Sequence, residues 1–394
     1  MKRDLYLYIH FPFCIKKCSY CNFYSFTELD AIGDYFQYLY REIDLYYKIL
    51  TKYPIKTIYL GGGSPNLIPA TYLEELIRHI KKYNDLTALE EFTVEINPSN
   101  ISAEKLSHFL ELGVNRISMG AQSFFDSELE FLDRVHTRAD IFRTVENLHQ
   151  VGIQNFSLDL IYGIPSQTAT SWEENLSIAL KTGATHFSFY NLIYEPGTPL
   201  TAALARKQFQ PVDEDREFEM FRMAHDKLAR HNYFHYEISN WAIPGKESVH
   251  NSAYWQNKNY LGLGPAAHSF MNDDRWYNFN SFDSYRENLD NIKFPIQYRE
   301  TIDSQLAIQE LVMLGLRKAQ GMSIRQFINL TNLDIELVCQ KMEQIFDNRF
   351  LKKYAQMNND FLQLTVEGWF ICDYIVKKII EITEEIRDDN KKTL

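Results

Sequence analysis

The stretch "HFPFCIKKCSYCNFYS", residues 10–25, places Cys14, Cys18 and Cys21 within eight positions, three of the five cysteines in the chain. A structural zinc site closes with four ligands, and a disulfide framework uses cysteines in even numbers. Three thiols on one loop are therefore one protein ligand short. The apolar segment just before them, Leu5–His10, reads as a strand, so the cysteines sit on the loop at its carboxyl end.

Outward from that loop, short apolar runs alternate with amphipathic stretches as far as residue 240. Leu5–His10, Thr57–Leu60, Phe92–Asn97, Arg116–Gly120, Phe156–Ile161 and Phe187–Leu192 read as strands. Asp34–Leu50, Thr71–Lys82, Ala103–Leu110, Ile141–Val151, Ser171–Lys181 and Asp213–Arg230 read as helices. This rhythm predicts an α/β fold with a parallel sheet covered by helices. Six units are two fewer than a closed eight-unit barrel needs. Residues 1–240 are expected to form this core and 241–281 a loop-rich bridge. Residues 282–394 are expected to form a smaller, mainly helical domain, winged-helix-like, with a hairpin around Asn358-Asn359-Asp360 and a frayed tail from Arg387.

Composition narrows the function. The net charge of −11 argues against nucleic acid as a partner, and the part from Phe282 onward is itself acidic. No secretory signal opens the sequence and no run approaches the roughly 18 apolar residues of a membrane span. A cytoplasmic location is expected, where clustered cysteines bind metal rather than pair. Cys339 and Cys372, among apolar neighbours, read as core.

Three thiolates from one loop suit a 4Fe–4S cluster, which offers four iron corners. The fourth iron is then open to the amino and carboxylate groups of S-adenosylmethionine (SAM), whose cleavage yields an adenosyl radical. The competing reading is zinc completed by His10 or by a distant ligand, but no second Cys pair is present to complete it.

The spacing C-x3-C-x2-C resembles the radical SAM superfamily. Over nearly its whole length the chain resembles the branch holding oxygen-independent coproporphyrinogen III dehydrogenase and a heme chaperone. That resemblance implies a partial (β/α)6 TIM-like barrel with the cluster at its mouth. It implies that "YLGGGSPN", with Gly61, Gly62, Gly63 and Ser64, receives the methionine amino group of SAM; glycines let backbone approach a ligand closely. It also implies SAM contacts for Tyr8, Tyr20, Glu95, Gln122, Arg134 and Asp159, several of them polar residues closing otherwise apolar strands.

Two features separate members of the branch. The dehydrogenase pattern has a further cysteine where this chain has Phe23, while chaperone-type sequences lack it, and "YEPGTPL" (194–200) is similar to the chaperone group. "HNSAYW" (250–255) matches that group's HNxxYW pattern. By that match His250 is expected to ligate heme iron, with Tyr254 and Trp255 packing on the porphyrin and His268 in "GPAAHSF" as a reserve ligand. The expected partners are heme and an acceptor hemoprotein, with a respiratory protein as the candidate acceptor, only transient membrane contact and a second copy of the chain as a candidate partner. Porphyrinogen decarboxylation and radical modification of heme are the enzymatic alternatives.

Overall fold

In β1 (Leu5–Phe11) the odd-numbered residues Leu5, Leu7, Ile9 and Phe11 are buried, and Tyr6, Tyr8 and His10 take the other face. That alternation sets the architecture of the whole chain, for which a computed structural model describes residues 4–99 and 101–392. Residues 1–3 of the expected leader-free start and 393–394 of the expected frayed tail lie outside the described residues.

β2 (Ile55–Gly62), β3 (Glu91–Ile96), β4 (Arg116–Gln122), β5 (Phe156–Tyr162) and β6 (His186–Asn191) follow β1 in spatial order, each parallel to the last. Helices cross between them, as parallel pairing requires. Apolar side chains from one face of the strands meet those helices in a continuous core. The opposite face lines a concave interior with polar groups, among them Tyr8, Tyr59, Glu95, Arg116, Ser118, Asp159 and Tyr190. Register carries this through: Tyr8 lies beside Tyr59, Glu95 beside Ser118, and Asp159 beside Ser188.

The sheet does not stop at six strands. β7 (Phe234–Glu237) and β8 (Asn240–Ala242) add antiparallel beyond β6. β9 (Tyr260–Leu263) runs parallel to the free side of β1, and β10 (His268–Met271), β11 (Asp274–Asn278) and β12 (Ile296–Thr301) continue antiparallel. The order is β12-β11-β10-β9-β1-β2-β3-β4-β5-β6-β8-β7, so the barrel is partial and β12 and β7 are its edges.

Three expectations change. The segment 241–281, read as loop, carries the end of β8 and all of β9, β10 and β11, and the sheet runs on past residue 282 to Thr301. His250–Trp255 lies on a helix, Val249–Trp255, whose N-terminus is capped by Ser248 Oγ accepting from Asn251 N. The expected frayed tail is helical within Cys372–Lys392.

Beyond β12, the helices Ser304–Leu316, Ile324–Thr331 and Ile335–Ile345 pack with a three-stranded sheet of Met322–Ser323, Ala355–Met357 and Phe361–Leu364. The last two strands form the expected hairpin. Trp369 ties this part together by donating from Nε1 to Leu316 O at 2.8 Å, and the rings of Phe218 and Phe370 meet across to the barrel helix Glu214–Ala229.

Candidate functional site

The cysteine loop is pinned at its base. Cys14 N donates to Phe26 O (3.0 Å), Phe26 N donates to Pro12 O (2.8 Å), and the rings of Phe13 and Phe26 meet edge to face. Cys14, Cys18 and Cys21 are free and half-buried. Burial pushes the thiols of Cys14 and Cys21 above their usual range, so loading with metal must release protons. Among the described residues no three His, Cys, Asp or Glu converge as a single metal ion requires. His10, the candidate zinc ligand, is spent elsewhere: Tyr8 Oη donates to Nδ1 (2.9 Å) and Nε2 donates to Tyr24 O (2.9 Å). Three thiols without a local fourth ligand, beside a cation, suit a cluster with one open corner better than zinc.

That cation is Arg134. Its Nη1 lies 3.5 Å from Cys18 Sγ and 3.4 Å from Tyr20 Oη, and Nη2 donates to Gly120 O at 3.1 Å. Its Nε is buried without a partner. The guanidinium thus sets a positive charge beside the Cys18 sulfur. Arg134, Tyr20 and Cys18 thus come together with the end of β4, where Gln122 sits half-buried after a bulge with φ +64°.

The glycine turn ends β2 directly against the loop. Gly63 N donates to Phe11 O (2.7 Å) and Ser64 N to Phe13 O (2.8 Å). Gly62 N donates to Glu95 Oε2 (3.0 Å), and Glu95 Oε1 accepts from Tyr59 Oη (2.7 Å). These three amide donors are therefore used inside the protein, and what the turn offers a ligand is carbonyl oxygen, which suits an ammonium group. Gly62 has φ +105°, and a Cβ there would stand 2.4 Å from the His10 ring. Burial holds the Glu95 carboxyl up at about 7.

Asp159 lies farther round the interior, accepting from Ser118 Oγ (3.3 Å) and Ser157 Oγ (3.2 Å), with burial pushing its carboxyl up. Tyr190, next to the last residue of β6, is 44% exposed at the mouth. Neither Tyr190 nor Arg116 was singled out from the sequence; inward parity on β6 and β4 is the signal that marks them.

HNxxYW lies at the other end of the strands. Glu91, the first residue of β3, accepts from Val249 N (2.9 Å) and His250 N (3.0 Å) and so seats the N-terminus of the helix Val249–Trp255. His250 is 1% exposed; its Nδ1 pairs with Thr57 Oγ1 (2.6 Å) and its Nε2 with Tyr254 Oη (2.8 Å). Burial pulls its imidazole down to about 3. An iron reaching Nε2 must displace Tyr254. Thr57 lies five residues before Gly62 on β2, so His250 is about 17 Å below the glycine turn along the strand. Trp255 is half-buried at the end of the helix, and His268, on β10, is exposed with its ring against Tyr277. Thus Tyr8, Tyr20, the glycine turn, Glu95, Gln122, Arg134 and Asp159 share the mouth or interior with the cysteines, and His250 sits at the floor of that interior, its ring 5.0 Å from that of Tyr59 and 6.5 Å from that of Tyr8.

A model of the radical SAM superfamily matches residues 8–178. The chain is 36% identical to the heme chaperone HemW of Bacillus subtilis over 325 residues, covering 81% of this chain and 85% of the relative. It is 31% identical to HemW of Lactococcus lactis, with 95% and 96% covered. Among solved structures, coproporphyrinogen III oxidase (HemN) from Escherichia coli, a radical SAM enzyme, superposes with a TM-score of 0.80 at 18% identity, over 97% of this chain and 90% of that one. That likeness bears on the fold and accounts for the open barrel and the smaller part beyond it. The chain belongs to the heme chaperone HemW family, within the radical SAM superfamily.

Proposed function

We propose that this protein binds heme and passes it to an acceptor hemoprotein, and that it carries a 4Fe–4S cluster on Cys14, Cys18 and Cys21 with SAM bound beside it. The observation that carries the cofactor reading is the cage at the mouth: three free thiols, the Arg134 guanidinium and the glycine turn in one place. When bound, such a cluster would supply an iron open to the amino and carboxylate groups of SAM. Carbonyl oxygens of the turn would orient the ammonium, and Tyr8, Tyr20, Glu95, Gln122 and Asp159 would hold the rest of the ligand inside the barrel.

Phe23 favours the chaperone reading over the dehydrogenase. It stands 67% exposed at the position where the dehydrogenase pattern has cysteine. Among the described residues no helix is long and apolar enough to cross a membrane. The fuller proposal is a cytoplasmic protein with a respiratory acceptor, meeting the membrane only transiently and pairing as a homodimer.

The test is anaerobic heme titration of cluster-reconstituted protein, wild type against His250→Ala, with coproporphyrinogen III assayed alongside. Saturable one-to-one binding with a shifted Soret band and no decarboxylation supports the reading. Absence of saturable binding, or turnover of coproporphyrinogen, overturns it. Loss of binding in His250→Ala would assign the HNxxYW imidazole to the iron.

A further inference from the structure

The net charge of −11 is not spread evenly over the molecule. Where the helices Tyr47–Lys52 and Ala70–Ile80 end beside the start of β2, Lys48, Lys52, Lys81 and Lys82 stand together, all four exposed. Lys52, Lys81 and Lys82 line a polar cleft of about 470 Å³ with Tyr53, Pro54 and Tyr83. The two lysine-bearing segments are clamped to each other, since Asn84 Nδ2 donates to Leu50 O (2.9 Å) and to Tyr53 O (3.0 Å).

None of the four lysines forms an ion pair among the described residues. Lys48 and Lys52 lie over the rings of Tyr47 (5.8 Å) and Tyr53 (4.9 Å), and Lys82 Nζ donates to His79 Nδ1 (3.1 Å). The carboxylates nearby are engaged elsewhere. Asp44 accepts from His79 Nε2 and from Tyr83 Oη, both at 2.6 Å, and Asp85 accepts from Thr87 N (3.0 Å) and Thr87 Oγ1 (2.8 Å). Lys56, just inside β2, shows the contrast, because Glu90 pairs with it. A cation at a helix C-terminus favours the macrodipole. That accounts for a lysine at each helix end, but not for four of them without an acidic partner in an acidic chain.

The same end of the barrel carries HNxxYW. Thr57, which meets His250, is three residues beyond Pro54, about 10 Å along the strand. Tyr47 is 47% exposed, and its ring lies beside that of Tyr83 with centres 6.4 Å apart. Tyrosine is a residue that settles at the headgroup level of a bilayer. We propose that this face docks on an anionic phospholipid surface, with Lys48, Lys52, Lys81 and Lys82 meeting phosphate headgroups and Tyr47 lying among them. Acidic groups farther than a Debye length of about 8 Å from that contact are largely screened. The inference rests on the reading above that the protein meets a membrane to deliver heme. It names the face that does so, and it turns the HNxxYW end toward the bilayer.

The experiment is cosedimentation of the full-length, cluster-reconstituted protein with vesicles of phosphatidylcholine alone and of equal parts phosphatidylcholine and phosphatidylglycerol. Wild type should bind the anionic vesicles, not the neutral ones, and release them as salt rises. Lys81→Gln should lower the partition coefficient about fivefold. The combined Lys48→Gln, Lys52→Gln, Lys81→Gln and Lys82→Gln variant should lose binding while keeping the far-UV circular dichroism and the heme titration of wild type. Lys352→Gln with Lys353→Gln, which neutralises two cations of a second basic cleft, should bind vesicles as wild type does. Vesicle binding that the fourfold variant retains, or that is equal on both compositions, overturns this face. So does a wild type that binds inorganic phosphate in calorimetry but no vesicle, which makes the cleft a site for a soluble anion, and so does a wild type that binds neither. In each of these cases an intact heme titration leaves the chaperone reading standing, and failure to bind heme overturns that reading separately.

Discussion

At the scale of single residues, His10 and Gly62 hold the mouth together. The His10 ring is buried between Tyr8 and Tyr24, and a side chain at Gly62 would strike it. Gly62→Ala combines a left-handed backbone with that clash. It should cost about 2 kcal/mol or more in chemical denaturation and lower cluster occupancy after reconstitution. His10 also carries a pH signature. Burial lowers its imidazole to about 4 from 6.5, so as pH falls below 6.5 the unfolded chain takes up a proton that the folded one refuses. Stability from this source is whole above pH 6.5 and is lost progressively down to about pH 4. In His10→Gln, which keeps one donor and one acceptor, the stability difference between pH 7 and pH 4 should shrink by up to about 3 kcal/mol. An unchanged difference would mean that the ring is not held neutral.

At the scale of elements, the helix Val249–Trp255 is too short to stand alone. It is seated from outside, by the Glu91 carboxylate on two of its first amide groups and by His250 against Thr57. Replacing Glu91 by Ala leaves those buried donors unsatisfied. It should cost about 3 kcal/mol and raise the reactivity of His250 toward diethyl pyrocarbonate; a reactivity equal to wild type would show that the helix stays seated. The strand elements are a different case. Each of the first six was readable as a short apolar run between amphipathic stretches, whereas this helix depends on a glutamate some 160 residues earlier in the chain.

At the scale of the whole molecule, the cysteine loop stands outside the core. The thiols are half-buried and Lys16 and Lys17 between them are exposed, while the packed layer beneath includes Phe11, Phe13 and Tyr35. Removing iron should therefore leave the far-UV circular dichroism of the sheet intact and speed trypsin cleavage at Lys16 and Lys17. Global loss of helix and sheet signal on chelation would place the cluster inside the folding unit.

The sequence alone determined the βα rhythm, the three-thiol loop, the glycine turn and the polar strand ends, because each is written locally: short apolar runs between amphipathic stretches, fixed intervals between cysteines. It also named Arg134 by motif as a SAM contact, and the structure puts its guanidinium beside Cys18 and Tyr20. Only the tertiary structure decided that β9 pairs with β1 and carries the sheet on to Thr301, since pairing across some 250 residues leaves no local mark. It alone decided that His250 is enclosed, with both ring nitrogens occupied. A histidine's chemistry depends on which groups meet its two nitrogens, and one of those groups, Thr57, comes from a strand some 190 residues earlier in the chain.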